Sequence, residues 1–221
     1  KKKFIEKYHI KSTKINVLFN SIGKKFVPSD NLRKKFRGKN KKKDKDFIIG
    51  FIGNFGKIKG LKYLIKAMKK LVNEIPNCYL FIAGSEKPFS ESKNKLMQHN
   101  QDKMLSDRIK FLGNITNPAE FINGVDIVVV PSLYEGCPSV VLESIGCEKL
   151  VIGSNVGGVK EILSSDKLLF APRNFNEIYL KILSIFNDIK LNKLCLNLIK
   201  DRKSLFMFNW DFELIKINLG I

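Results

Sequence analysis

From residue 47 onward the chain alternates short, fully apolar runs with amphipathic stretches, and this alternation restricts its fold more than any other feature. Phe47-Ile48-Ile49-Gly50-Phe51-Ile52-Gly53 is apolar on both sides of an extended strand, as a strand covered on both faces requires. A helix follows from about residue 60 to 73, with Leu61, Leu64, Ile65, Met68, Leu71 and Val72 recurring at i, i+3, i+4 and i+7. Lys62, Lys66, Lys69 and Lys70 fall on its other side, and Pro76 stops it. The pattern then repeats, with strands over 78–83, 109–112, 126–130, 150–153 and 167–170. Helices alternate with them over 91–105, 118–123, 138–147, 159–163 and 176–187. Doubly buried strands alternating with helices predict an α/β fold, a Rossmann-like parallel sheet with helices on both faces. That domain is expected over 47–190, followed by a mostly helical C-terminal tail over 191–221.

Residues 1–46 differ in kind. They hold 17 Lys and Arg against 4 acids, a net +13 of the chain's formal +19. Ile15–Phe19 is a short β-like run that ends at the turn signal Asn20-Ser21-Ile22-Gly23. Residues 33–46 (RKKFRGKNKKKDKD) read as a charged connector without an apolar face. A block of this sign suits an anionic membrane surface or a phosphate-bearing ligand, and equally a solvated Lys-rich surface. No aromatic interleaving or zinc-finger spacing accompanies it, so no nucleic-acid partner is expected.

Cys78, Cys137, Cys147 and Cys195 form no C-x-x-C pair, and His9 and His99 do not cluster with them. No metal is expected, and a reduced cytoplasmic compartment is the expected location, peripheral to a membrane if the basic leader meets one. No apolar run reaches the roughly 18 residues that span a bilayer. The chain begins Lys1-Lys2-Lys3 and not with Met, so it reads as a piece of a longer protein.

Ligands of open parallel sheets sit beyond the carboxyl ends of the strands, and three loops there stand out. Gly53-Asn54-Phe55-Gly56-Lys57-Ile58-Lys59-Gly60 brings glycines and two cations to a helix start, where free N–H groups suit an anion. Its spacing is neither a P-loop nor G-x-G-x-x-G, and alone it is equally a plain strand-to-helix turn. The second loop runs from Pro131 through Glu135, Gly136 and Cys137 to Pro138-Ser139-Val140-Val141-Leu142-Glu143. Pro138 suits a first helical position, which leaves the N–H groups of Ser139 and Val140 free for an anion. Glu143 falls on a largely apolar helix. A carboxylate there needs donors, which a pair of ribose hydroxyls or water at the helix rim would supply. Cys137 has no His nearby in sequence to activate it. The third loop, Ser154-Asn155-Val156-Gly157-Gly158, reads as a tight turn with no ligand.

Together these stretches resemble the C-terminal, donor-binding domain of retaining GT-B glycosyltransferases, the group called glycosyl transferases group 1 or family four. Lys14–Pro28 is similar to the family's segment ending in Phe-x-Pro, Leu80–Gly84 to its Leu-x-Ile-Ala-Gly strand, and Phe208-Asn209-Trp210 to the Phe-Ser-Trp opening its last helix. The most specific part is Asp126–Glu161, where Glu135 and Glu143 reproduce the E-x7-E spacing. The resemblance implies a nucleotide-sugar-dependent transferase, hexosyl in kind, serving polysaccharide synthesis with retention at the sugar carbon and an unspecified acceptor. It implies catalytic roles for Glu135, close to the donor sugar, and Lys59, at the diphosphate. Donor contacts would come from Asn54, Gly56, Asn114, Ile115, Gly136, Cys137, Ser139, Val140 and Glu143, with Asn114 and Ile115 at the base and Glu143 on the ribose. The donor is a substrate, and no cofactor or tightly bound metal is implied. An N-terminal acceptor domain would precede the chain, and the piece alone would not transfer sugar. Asn54 stands where the family has Arg, and Asn20-Ser21-Ile22-Gly23 replaces Asn-Gly-Val-Asp. The first departure favours the competing reading, a non-catalytic nucleotide-binding module.

Overall fold

The computed structural model describes residues 2–15, 19–86, 96 and 103–208. Its centre is a six-stranded parallel sheet of β1 (Phe47–Ile52), β2 (Cys78–Ala83), β3 (Ile109–Gly113), β4 (Ile127–Val130), β5 (Leu150–Ser154) and β6 (Leu169–Phe170). The strand order is β3-β2-β1-β4-β5-β6. Phe47 pairs with Cys78 on one side of β1, and Ile49 pairs with Ile127 on the other. The order reverses between β1 and β4, the place where sheets of this kind open a crevice at the carboxyl ends of their strands.

The helices are α1 (Lys2–Tyr8), α2 (Asp30–Lys39), α3 (Leu61–Glu74), α4 (Lys103–Arg108), α5 (Pro118–Gly124), α6 (Ser139–Gly146), α7 (Gly157–Leu163), α8 (Phe175–Asn187) and α9 (Ile189–Phe206). The apolar stripe of α3 is buried as its spacing dictates, and Leu61, Leu64, Met68 and Leu71 have no exposed surface. Burying a Leu or Met side chain contributes roughly 1.5–3 kcal/mol. Strand β4 is buried along its whole length. Gly50 in β1 lets α5 approach the sheet, because a Cβ there would come within 2.9 Å of the Phe121 ring and 3.0 Å of Val125.

The leader departs from expectation. Residues 30–39, which overlap the stretch read as a connector without an apolar face, form a helix with a buried side. The Ser29 side chain caps it, accepting from the Leu32 N–H at 3.3 Å. Phe36 packs edge-on to Phe121 at 5.5 Å and tilts against Phe81 at 5.7 Å. Gly124 makes room for it, since a side chain there would collide with the Phe36 ring. Arg37 is buried beside it. Its guanidinium donates to the carbonyls of Gly124, Lys43 and Asp46 and to Asp126 Oδ2 at 2.7 Å. Asp126 also accepts from Arg33 at 2.8 Å and from the Ile48 N–H at 2.7 Å. A helix whose buried face is one phenylalanine and one arginine shows little apolar period, which is why its sequence reads as polar.

The expected strand at Ile15–Phe19 lies partly outside the described residues, as does most of the expected helix over 91–105. Asn209 and Trp210 also lie outside them. Ser21 and Phe206 are close: Ile22 N–H donates to the Phe206 carbonyl at 2.8 Å, and Ser21 Oγ donates to the Phe208 carbonyl at 2.7 Å. The leader and the end of α9 therefore run side by side. Among the described residues no helix is long and apolar enough to cross a membrane.

Candidate functional site

Beyond the carboxyl ends of β1 and β4 lies a cleft of about 330 Å³. The first two loops singled out by sequence line it, the third lies behind the second, and hydrogen bonds stitch the three together. The first loop ends in a 3-10 turn, Lys57–Lys59, and the Ile58 carbonyl accepts from the Leu133 N–H of the second loop at 2.6 Å. The Glu135 carbonyl of the second loop accepts from the Gly158 N–H of the third at 3.0 Å. Gly158 permits that approach, because a side chain there would collide with the Gly136 carbonyl. The paired glycines of the third loop thus support the second. Gly60, with φ +67°, performs the same service between the first loop and the Pro131 carbonyl.

Lys59 and Glu135 meet in the cleft. Lys59 Nζ lies 2.7 Å from Glu135 Oε2, which also accepts from Ser132 Oγ at 3.1 Å. Lys57, two residues away, is exposed and does not line the cleft. Asn54 lines it but spends its side-chain oxygen locally, accepting from the Gly56 N–H at 3.0 Å. That is an Asx turn, which fixes the loop and leaves no cation at this position.

Helix α6 forms the far wall. Pro138 is its N-cap, with Ser139 in the first helical position, one residue later than the expected start. As the first residues of the helix, Ser139 and Val140 have N–H groups without an intrahelical acceptor. Both line the cleft, as does Cys137. One turn on, Glu143 faces the same cavity. Its carboxylate has no hydrogen-bond partner among the described residues, and burial raises its pKa, opposed by the positive charge of Lys25. Glu143 also borders a second cavity of about 290 Å³, between α6 and the leader residues Asn20–Gly23 and Phe26. The leader is thus a back wall of the site.

Seven of the expected residues therefore converge: Asn54, Lys59, Glu135, Cys137, Ser139, Val140 and Glu143. Gly56 and Gly136 shape the loops without lining the cleft. Asn114 and Ile115 line a neighbouring cavity of about 250 Å³ with Lys39, Asn117 and Glu120, while Pro118 at the start of α5 reaches the main cleft. Ser132 and Lys25 were not anticipated. Ser132, two residues beyond β4, carried a usable signal, because ligands of such sheets bind just outside the carboxyl ends of the strands. Lys25 carried none, since its approach to Glu143 depends on the tertiary path of the leader. Among the described residues no group of three or more His, Cys, Asp or Glu is placed to hold a metal ion.

What the cleft offers is a cation, helix-end amides and two carboxylates, one paired and one lacking donors among the described residues. A ligand with a diphosphate and vicinal hydroxyls would satisfy all of them.

Residues 33–203 match the family described as glycosyl transferases group 1. The capsular polysaccharide biosynthesis glycosyltransferase CapM of Staphylococcus aureus is 29% identical over 153 residues, covering 67% of this chain and 39% of that protein. The chain spans about four tenths of the length of the first curated relatives it matches, 43% and 39%. Two solved structures share the fold. WaaG, a glycosyltransferase involved in lipopolysaccharide biosynthesis, matches with a TM-score of 0.80 at 18% identity, over 97% of this chain and 59% of its own. Anabaena HepE, solved in complex with UDP, matches with a TM-score of 0.73 at 20% identity, over 89% of this chain and 52% of its own.

Proposed function

The chain belongs to the glycosyl transferases group 1 family, and from that premise we propose that it is the donor-binding part of an enzyme moving a hexosyl group from a nucleoside-diphosphate sugar to an acceptor. The observation that carries this reading is Glu143, a partly desolvated carboxylate without a donor among the described residues, one helical turn from the first amides of α6. A ribose supplies two hydroxyl donors to the carboxylate, and the diphosphate takes the amides of Ser139 and Val140 together with Lys59. HepE, whose fold this chain shares, was solved in complex with UDP, which supports a nucleotide as the class of ligand.

Lys59 starts in an ion pair with Glu135. An arriving diphosphate competes for that ammonium group and frees the Glu135 carboxylate, still held by Ser132, to accept from hydroxyls of the donor sugar. When the bond between the anomeric carbon and the diphosphate oxygen breaks, the electron pair leaves with the diphosphate. Lys59 and the helix-end amides stabilise that developing charge without reorganising. Transfer with retention places the acceptor hydroxyl on the face the diphosphate leaves, where its oxygen bonds to the anomeric carbon and its proton passes to the departing diphosphate oxygen. The acceptor itself would be held by a domain outside this chain. A specific observation favours a second reading, a nucleotide-binding module without transfer: Asn54 supplies no cation to the leaving group.

A thermal-shift series with UDP-, GDP- and ADP-sugars tests the proposal. At one hundred times its Kd a ligand stabilises by about 2.7 kcal/mol, a rise of roughly 5–10 °C for a domain of this size. One nucleotide is expected to produce that rise. No shift with any of the three would contradict donor binding. Donor turnover once an acceptor domain is restored would separate the enzyme from the module.

A further inference from the structure

The opposite end of the sheet carries a feature that donor binding does not use. Lys41, Lys42, Lys43 and Lys45 form the turn that enters β1, Arg108 precedes β3, and Lys110 sits in β3. All six therefore belong to the amino-terminal side of the strands, whereas the cleft lies at their carboxyl ends. Tyr79, the second residue of β2, draws them together. Lys42 Nζ sits 3.2 Å from its ring centroid and the Arg108 guanidinium 4.8 Å from it. Lys110 donates to Asn40 Oδ1 at 3.0 Å, which ties the β3 edge to the same turn.

Six cations stand here against Asp44 and Asp46 of the turn and Asp107 beside Arg108, which leaves the group net positive. Lys41, Lys43, Lys45 and Lys110 are exposed, and none has a carboxylate at ion-pair distance among the described residues. Asp46 is buried and accepts from the Lys43 N–H at 2.8 Å. Arg108 Nη1 is buried without a hydrogen-bond partner among the described residues. Burial and the neighbouring Arg108 lower the Lys42 pKa against the opposing pull of Asp46. A net excess of cations on one face attracts an anionic partner.

We propose that this patch, centred on Tyr79, Lys42, Arg108 and Lys110, is a docking surface for the anionic phospholipid headgroups of a membrane. The chemistry favours a bilayer over a nucleic acid. Single-stranded nucleic acid needs open aromatic faces on which bases stack, and Tyr79, the ring at the centre of the patch, is already covered by Lys42 and Arg108. Lysines on flexible stems, spread over a turn and an edge strand, suit the diffuse field of a charged surface. The proposal is independent of the donor reading, because docking at this end leaves the cleft open to solvent.

Vesicle co-sedimentation tests it, with phosphatidylcholine alone or with about 30% phosphatidylglycerol, at about 0.1 M salt where surface charges more than one Debye length apart are screened. The parent is expected on the anionic vesicles and not on the neutral ones. The fourfold variant K41Q/K43Q/K45Q/K110Q is expected to bind them about 100-fold more weakly, since each lysine near an anionic surface contributes substantially. A control, K66Q/K160Q/K190Q/K193Q, removes the same charge from exposed positions elsewhere and is expected to bind close to the parent. Equal losses in both variants would reduce the effect to net charge and overturn the patch. So would parent binding to neutral vesicles, binding by the first variant equal to the parent's, or displacement from anionic vesicles by a stoichiometric short single-stranded RNA. Nucleotide-dependent thermal shifts in both variants report that the fold and the cleft are intact, so a failed donor reading and a failed docking surface give different results.

Discussion

Exchanging Glu143 for glutamine is expected to make the unliganded protein more stable at neutral pH and to weaken nucleotide-sugar binding about ten-fold or more. The two effects have opposite signs because they have the same cause. Burial holds the folded-state pKa of Glu143 above its ordinary value, and Lys25 only partly offsets this. The folded chain therefore takes up a proton as pH falls through that window, before the unfolded chain does. The destabilisation is fully present above the folded-state pKa and is gone below the unfolded value, about 4.3. Glutamine removes it, so the stability gap between variant and parent should be widest near pH 7 and should close toward pH 4. In the proposed complex the carboxylate would accept from ribose hydroxyls, and hydrogen bonds to a charged group contribute roughly 1.5–3 kcal/mol. The amide retains only part of that. Melting temperatures at several pH values, with and without nucleotide, read both effects. A variant less stable than the parent at pH 7, with unchanged affinity, would mean that Glu143 is satisfied within the protein.

Replacing Arg37 with methionine should have the largest effect on the fold, a loss of about 3–5 kcal/mol. Arg37 is 2% exposed, and its guanidinium donates to three backbone carbonyls as well as Asp126. Methionine fills similar volume but leaves those carbonyls without a donor and leaves Asp126 with Arg33 and the Ile48 N–H. Lys149, whose amine is buried nearby and pushed down to about 8 by that burial and by Arg33, cannot cheaply take over. A drop of roughly ten degrees in Tm is expected, and urea unfolding would report the same loss. A change below about 1 kcal/mol would mean that α2 rests on the domain without holding it together.

These two residues also mark how far the sequence could be read. The core of the sheet was legible because its strands are apolar on both faces and α3 carries an unbroken stripe from Leu61 to Val72. The Glu135 and Glu143 spacing was legible because both sit on one strand-loop-helix unit, where chain order and space agree. Helix α2 was not legible, because its anchor is an arginine and an arginine in a Lys-rich stretch looks like surface. Ser29, followed by Leu32 and Phe36 at i, i+4, was the available signal. Asn54 was readable as a lost cation but not as an Asx turn, since that depends on where the Gly56 N–H points. The third loop, Gly157-Gly158, was read as a turn alone. Its supporting role required knowing that the Glu135 and Gly136 carbonyls lie against it.

The central claim is that Glu143 holds a ribose, and a ribose can be altered as readily as a side chain. Isothermal titration of the parent and Glu143→Ala with the preferred nucleoside diphosphate and with its 2′,3′-dideoxy form closes a double-mutant cycle. The parent is expected to prefer the ribonucleotide by about ten-fold to a hundred-fold, and Glu143→Ala to bind the two forms nearly alike. An alanine variant that keeps the parent's preference would contradict the account.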